Sequence, residues 1–107
     1  MIKIEKSSGN VYADIAAKDA DEMFIKAQLA AKIGEIVRSR DWTQQQAAKA
    51  LGLTQPKLSN LLRGQFRGIS EAKMLACLVL LGREVQIVIG PEQTPDAAGH
   101  LEVLCVA

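Results

Sequence analysis

The chain has 107 residues, a length typical of a single domain, and 49% of them are hydrophobic, which is enough to build a core. Its net charge of +1 does not by itself indicate a nucleic-acid partner. The charge is unevenly spread, however: residues 38–67 carry six basic and one acidic side chain, and the rest of the chain has a net charge of −4. A basic middle between acidic flanks predicts that the middle binds a polyanion.

Several classes of protein are excluded on composition. Cys77 and Cys105 have no second Cys or His nearby, so we expect neither a disulfide framework nor a metal site. His100 stands alone, and no serine has an implied His–Asp set, so we expect no catalytic residues, no cofactor and no enzyme. The longest apolar run, residues 74–81, is far too short to span a membrane, and no signal peptide is recognisable. We therefore expect a cytoplasmic protein.

The first eighteen residues give a mixed signal. Residues 2–5 alternate like a short strand, but the Ser-Ser-Gly-Asn that follows at 7–10 breaks the pattern. We interpret residues 1–18 as an N-terminal arm that is ordered only by docking, or not at all.

Two longer helices are predicted on either side of the middle of the chain. The first begins with Asp19 as its N-cap, has Glu22 three residues later, and ends near Ser39. The other follows Ser70 and ends before Gly82. The apolar face of the first helix is expected to contain Ile25, Leu29, Ile33 and Ile36. That of the second is expected to contain Ala72, Leu75, Leu78 and Val79.

Between them lie two short helices joined by a tight turn. Thr43 and Gln46 form a capping box for the first, which ends at Gly52. Thr54 caps the second, and Pro56 falls in its first turn, where a missing N–H costs nothing. Two short helices in this arrangement can place the second one in the major groove of DNA, with its N-terminal residues at the base edges.

The C-terminal quarter changes period. Residues 83–89 alternate in the manner of a β-strand, residues 90–99 form a loop with two prolines, and residues 101–106 could form a second short strand. One isolated strand is not stable, so it must pair either with the same strand of a second subunit or with residues 101–106 in a hairpin. For the first alternative the dimerisation residues are Val85, Ile87 and Ile89.

The stretch from Trp42 to Gly64 resembles the Xre family of phage-repressor-like helix-turn-helix proteins. The resemblance rests on Thr-Gln opening one helix, on Ala-Ala and Leu-Gly before the turn, and on Thr-Gln-Pro opening the next. It implies a mainly α, lambda-repressor-like bundle of four to five helices with a short C-terminal β-strand element. The chain then divides into the arm (1–18), a helix-turn-helix domain (19–82) and a strand and dimerisation segment (83–107).

The resemblance also implies site residues. Gln44 would contact a phosphate at a helix start, Gln55 could read an adenine, and Lys57 could reach a guanine or a phosphate. The complete DNA-binding set is Gln44, Thr54, Gln55, Pro56, Lys57, Asn60, Arg63, Gln65 and Arg67. Where many relatives have an Arg–Glu pair, this chain has Val37 and Leu62, so we expect a hydrophobic contact there.

Together these features predict a transcriptional repressor that binds a palindromic double-stranded operator as a homodimer. The Ser-Gly-Asn-Val-Tyr-Ala-Asp stretch at 8–14 resembles the antitoxin-related subset of the family, which implies a toxin protein as a second partner and autoregulation of the operon. The alternative is a protein-interaction adaptor that keeps the fold without binding DNA. An adaptor would be expected to have an apolar or acidic face at 54–60, where this sequence has Thr, Gln, Lys, Ser and Asn.

Overall fold

The computed structural model describes residues 11–92, 94 and 98–106, with side chains described from residue 20 onward. Four helices follow one another in this part of the chain: α1 (Val11–Ser39), α2 (Gln44–Leu51), α3 (Gln55–Leu62) and α4 (Glu71–Leu80). The predicted mainly α architecture is therefore confirmed. Among these four, no helix combines the length and the apolar character that crossing a membrane requires.

The first helix starts earlier than the sequence predicted. It begins at Val11, and Asp19, the expected N-cap, lies inside it. Residues 11–20 contain four alanines and neither glycine nor proline, so helix propensity carries the helix through this stretch. A residue suited to capping starts a helix only where the backbone before it leaves helical geometry. Residues 11–18 of the expected arm are thus helical, and residues 1–10, including the strand-like 2–5, lie outside the described part.

The ends of the shorter helices are as predicted. Thr43 Oγ1 accepts from the backbone N–H of Gln46 at 3.1 Å, and Gln46 Oε1 accepts from the N–H of Thr43 at 2.9 Å, which completes the capping box. The hydroxyl oxygens of Thr54 and Ser70 each accept from the N–H three residues later. Gly52 ends α2 at φ 67°, a left-handed geometry that a side chain would strain. These local interactions explain why helices of eight to ten residues have sharp boundaries.

The hydrophobic core forms around one side of α1. Ile33 is fully buried there, and α3 and α4 both pack against α1, while α2 packs against α3 and α4. The predicted apolar face of α1 is confirmed. The largest side chains with almost no exposed surface come from all four helices and the segment after α4: Ile33, Leu51, Leu58, Leu61, Met74, Cys77 and Leu81.

The buried face of α4 is shifted from the predicted one. Leu78 is buried as expected, but Ala72 and Val79 are exposed, and Met74 and Cys77 are buried instead. Eight of the ten residues of α4 are apolar, so more than one helical stripe fits the pattern. Because α4 packs against α1 and α2 together, tertiary contacts decide which stripe faces inward.

Cys77 joins α4 to the end of α2. Its thiol Sγ lies 3.8 Å from the carbonyl oxygen of Leu51, to which it donates a weak hydrogen bond. Burial raises the pKa of the Cys77 thiol, although the nearby Lys73 ammonium lowers it in part. The thiol therefore stays protonated and acts as a small apolar residue with a donor.

The expected C-terminal β-element is not observed. In the described residues after α4, neither 83–90 nor 101–106 forms a strand, so the hairpin alternative is wrong for this chain as described. Ile87 and Ile89 are 78% and 91% exposed, and only Val85 is half-buried against the core. An alternating pattern indicates which side chains a strand would bury. A strand also requires a second strand whose backbone N–H and C=O groups bond to its own. The pairing between subunits is not tested by a single chain.

Candidate nucleic-acid interface

Helix α3 has one buried and one exposed face. Leu58 and Leu61 are 0% and 2% exposed and anchor the helix in the core. On the opposite side Gln55, Pro56 and Lys57 are exposed in the first turn. The helix is therefore fixed through its apolar face and presents a polar N-terminal surface outward.

The turn before α3 holds it close to α2. Ala47 and Ala48 are buried, and their small side chains allow the two helices to approach closely. The N–H of Leu53 donates to the carbonyl of Ala48 at 3.0 Å, and the N–H of Gly52 donates to that of Lys49 at 3.3 Å. These bonds satisfy the last carbonyls of α2 and define the direction in which the chain enters α3.

The two helix N-termini in this region carry no acidic residue. Helix N-termini bear partial positive charge and commonly have Asp or Glu in their first turn, as α4 does with Glu71. Neither α2 nor α3 has one, and residues 42–70 contain no Asp or Glu at all. The positive ends of both helices are thus left without an internal anion, an arrangement suited to phosphate groups.

The nine predicted DNA-binding residues lie on or next to this surface. Gln44 is the first residue of α2 and Thr54 is the N-cap of α3. Asn60 is half-buried in the second turn of α3. The other eight are exposed: Gln44, Thr54, Gln55, Pro56, Lys57, Arg63, Gln65 and Arg67.

A tether between α1 and the end of α3 escaped the sequence reasoning. Arg38 Nη2 donates to the backbone carbonyl of Leu62, the last residue of α3, at 3.2 Å. The guanidinium lies over Gly34, where an added Cβ would stand 3.0 Å from Arg38 Nη1. A glycine four residues before an arginine on a helix was the available sequence signal.

The hydrogen bond from Arg38 lies next to Val37 and Leu62, the two residues expected to make a hydrophobic contact in place of the Arg–Glu pair of many relatives. Val37 is buried, and Leu62 packs against the core half-buried, so both belong to the apolar cluster. Both also line a groove of about 380 Å³ between the end of α1 and the two short helices. Its other lining residues are Arg38, Asp41, Trp42, Thr43, Gln44, Ala47 and Leu58.

Two further cations, one in α1 and one just after it, bind backbone carbonyls in other segments of the chain. Lys26, which is buried, has its Nζ 3.4 Å from the carbonyl oxygen of Arg67, in the segment after α3. Arg40 Nη2 donates to the carbonyl of Leu81 at 2.7 Å, and its guanidinium lies 5.3 Å from the centroid of the Trp42 ring. The segments that follow α3 and α4 are thereby attached to α1.

Comparison with known proteins agrees with this geometry. A family model described as a helix-turn-helix domain matches residues 11–90. A solved structure described as a "Putative XRE Family Transcriptional Regulator" superposes with a TM-score of 0.73 at 31% identity, covering 82% of this chain and 99% of that one. No curated protein matches the chain. The chain therefore belongs to the helix-turn-helix domain family, and its class is that of DNA-binding transcriptional regulators.

We predict that Arg38→Met loosens the end of α3. The substitution keeps the apolar stem but removes the donor to Leu62, and a hydrogen bond of this exposed kind contributes about 1 kcal/mol to the free energy of unfolding. Urea denaturation should detect this loss, and amide exchange should quicken in the last turn of α3. Lys49→Met, which removes an exposed charge from α2, is the control and should change stability by less than about 0.5 kcal/mol. Equal midpoints and equal exchange for the two variants would contradict the tether.

Proposed function

We propose that this chain is a sequence-specific repressor that binds a palindromic operator as a homodimer, and that it is the antitoxin of a two-gene toxin–antitoxin module. The observation that carries the DNA-binding part is the exposed polar first turn of α3, with Gln55 and Lys57 held outward by buried Leu58 and Leu61. An adaptor that had lost DNA binding would have no reason to keep this face polar and free of acids.

In the proposed complex the parts of the surface have different roles. The N-terminus of α2 at Gln44 and the basic residues after α3 would contact phosphates, which sets the position of the protein on the duplex. The first turn of α3 would face the base edges, where the amide of Gln55 can pair with adenine through both its oxygen and its nitrogen.

We predict that Gln55→Ala and Lys57→Ala weaken binding in different ways. Loss of Gln55 should remove about 1–3 kcal/mol of discrimination at one base pair, because the amide contacts a base edge. Loss of Lys57, if it contacts a phosphate, should weaken binding to all sequences and flatten the log–log salt dependence by roughly 0.9. Fluorescence anisotropy with operator variants over a salt series measures both effects. Gln45→Ala, an exposed glutamine outside the proposed contact set, is the control, and an equal loss on every sequence for Gln55→Ala would show that it reads no base.

The dimer part of the proposal rests on the segments after α4. Three consecutive large apolar side chains, at Ile87, Val88 and Ile89, are exposed, and the backbone of residues 83–90 has no ladder partner in the described chain. Isolated exposed apolar residues are common in monomers, but a continuous run on an unpaired segment favours association. Pairing with the same segment of a second copy is compatible with two-fold symmetry, and the two recognition helices would then face successive major grooves, about 34–36 Å apart.

We predict that the protein sediments as a dimer at micromolar concentration and that Ile87→Asp shifts it to the monomer. A carboxylate in the paired segment would be buried without a partner, which is strongly unfavourable. Leu80→Asp changes an exposed leucine of α4 and should leave the dimer intact. A monomeric parent protein contradicts the interface, and a dimer lost only with Leu80→Asp would place it on α4.

The antitoxin part of the proposal rests on resemblance and on charge. The stretch at residues 8–14 is similar to that subset of the family, and the flanks outside residues 38–67 have a net charge of −4. A toxin that cleaves RNA must itself be basic, so acidic flanks are suited to steering the two proteins together. Val11 and Tyr12, at the start of α1, would be the apolar anchors; their side chains lie outside the described set.

We predict that the product of the adjacent gene inhibits growth when expressed alone and that co-expression of this chain relieves the inhibition. Deleting residues 1–18 together with those after Gly90 should abolish the relief, because in this proposal the apolar anchors Val11 and Tyr12 and the acidic C-terminal segment contact the toxin. The truncated chain should still bind operator DNA, which serves as the control for folding. A harmless neighbouring product, or full relief by the truncated chain, would contradict the antitoxin role and leave the DNA-binding role standing.

A further inference from the structure

Three polar side chains at the C-terminal end of α3, two on the helix and one at its C-cap, form one connected group. Arg63 Nη1 donates to Ser59 Oγ at 2.9 Å, and Arg63 Nη2 donates to Asn60 Oδ1 at 2.6 Å. Asn60 and Ser59 are half-buried and Arg63 is exposed. One guanidinium therefore holds two side chains of the helix surface at once, with spacings of three and four residues that place all of them on adjacent positions of one face.

The end of the helix positions this guanidinium. Arg63 is the C-cap of α3, and its backbone N–H donates to the carbonyls of Ser59 and Asn60. The next residue, Gly64, has a φ of 82°, and the N–H of Gln65 donates back to the carbonyl of Asn60 at 2.7 Å. The backbone that carries Arg63 is thus bonded to the same turn that its side chain contacts.

The contact determines which way the Asn60 amide faces. A guanidinium has only donors, so the atom that it contacts must be the amide oxygen and not the nitrogen. With one lone pair of Oδ1 taken by a charged donor, the two hydrogens of Nδ2 are the part of the amide best suited to contact a base. Asparagine normally reads adenine with both atoms, accepting from N6 and donating to N7.

We propose that Arg63 is a positioning residue that makes Asn60 read guanine instead of adenine; this rests on α3 being the recognition helix, as proposed above. The Nδ2 hydrogens are complementary to O6 and N7 of guanine, which are both acceptors. An adenine N6–H would have to approach an oxygen next to the positive guanidinium, and that repulsion disfavours adenine. Arg63, one of the DNA-binding residues predicted from the sequence, thereby acts on sequence preference through Asn60.

The test is selection of binding sites from a random duplex DNA library, followed by sequencing, with the full-length chain and four variants. Asn60→Ala identifies the base pair that depends on Asn60, and at that pair the parent protein should prefer guanine. Arg63→Met should shift the preference there from guanine towards adenine by about tenfold and leave the other positions unchanged. Ser59→Ala removes one of the two acceptors of the guanidinium and should produce a smaller shift in the same direction.

Lys49→Ala is the control, because it removes a charge of the same sign from an exposed residue of α2 that lies outside the proposed contact set, and it should leave every base preference as it is. Far-ultraviolet circular dichroism and the melting temperature confirm that each variant is folded. The inference is overturned if the Asn60-dependent pair is read as adenine by the parent protein, or if Arg63→Met weakens all sequences equally. A parent protein that enriches no sequence at all overturns the proposed function itself, which is a different result from either of these.

Discussion

The apolar face of α1 is the surface on which the other helices are assembled. Ile33 at its centre has no exposed area, and α3 and α4 pack against α1. Helices of eight to ten residues are marginal in water on their own, so α2, α3 and α4 depend on this packing for most of their stability. The position of α3 relative to the rest of the chain is consequently set by the contact of Leu58 and Leu61 with the core.

Hydrogen bonds at the helix ends stabilise the arrangement of helices in addition to the packing of the core. The N-terminus of α3 is closed by its own Thr54, whereas its C-terminal carbonyl at Leu62 is bound by Arg38 from α1. Lys26 and Arg40 bind carbonyls in the segments after α3 and α4 in the same manner. At Leu62 a cation such as Arg38 is well suited, because helix C-termini carry partial negative charge. These cations therefore attach the end of α3 and the segments after α3 and α4 to α1 and the residues that follow it.

Two regions of the exposed surface have contrasting chemistry, one polar and basic and the other apolar. Around α2 and α3 it is polar and basic, with helix N-termini that lack acids, and its natural complement is a polyanion. Along residues 87–89 it is apolar, and its natural complement is another apolar segment. The two parts are separate surfaces, so the proposed DNA binding and the proposed dimerisation would not compete for the same residues. At the C-cap of α3, the Arg63 guanidinium contacts the side chains of Ser59 and Asn60.

The sequence by itself determined the features that depend on neighbouring residues. Caps at Thr43, Thr54 and Ser70 and the left-handed Gly52 were predictable because each is formed within a few residues of chain. The surface location of the candidate site followed from the same local pattern. The start of α1 at Val11 was missed because a good capping residue, Asp19, sits in a stretch where nothing stops a helix. The tertiary structure decided which stripe of α4 is buried, that Arg38 reaches Leu62, and that residues 83–90 pair with no other described segment of the chain. Each of these features depends on contacts between segments far apart in the chain, or on a partner. The alternation or helical periodicity of a segment does not indicate which other segment will pack against it.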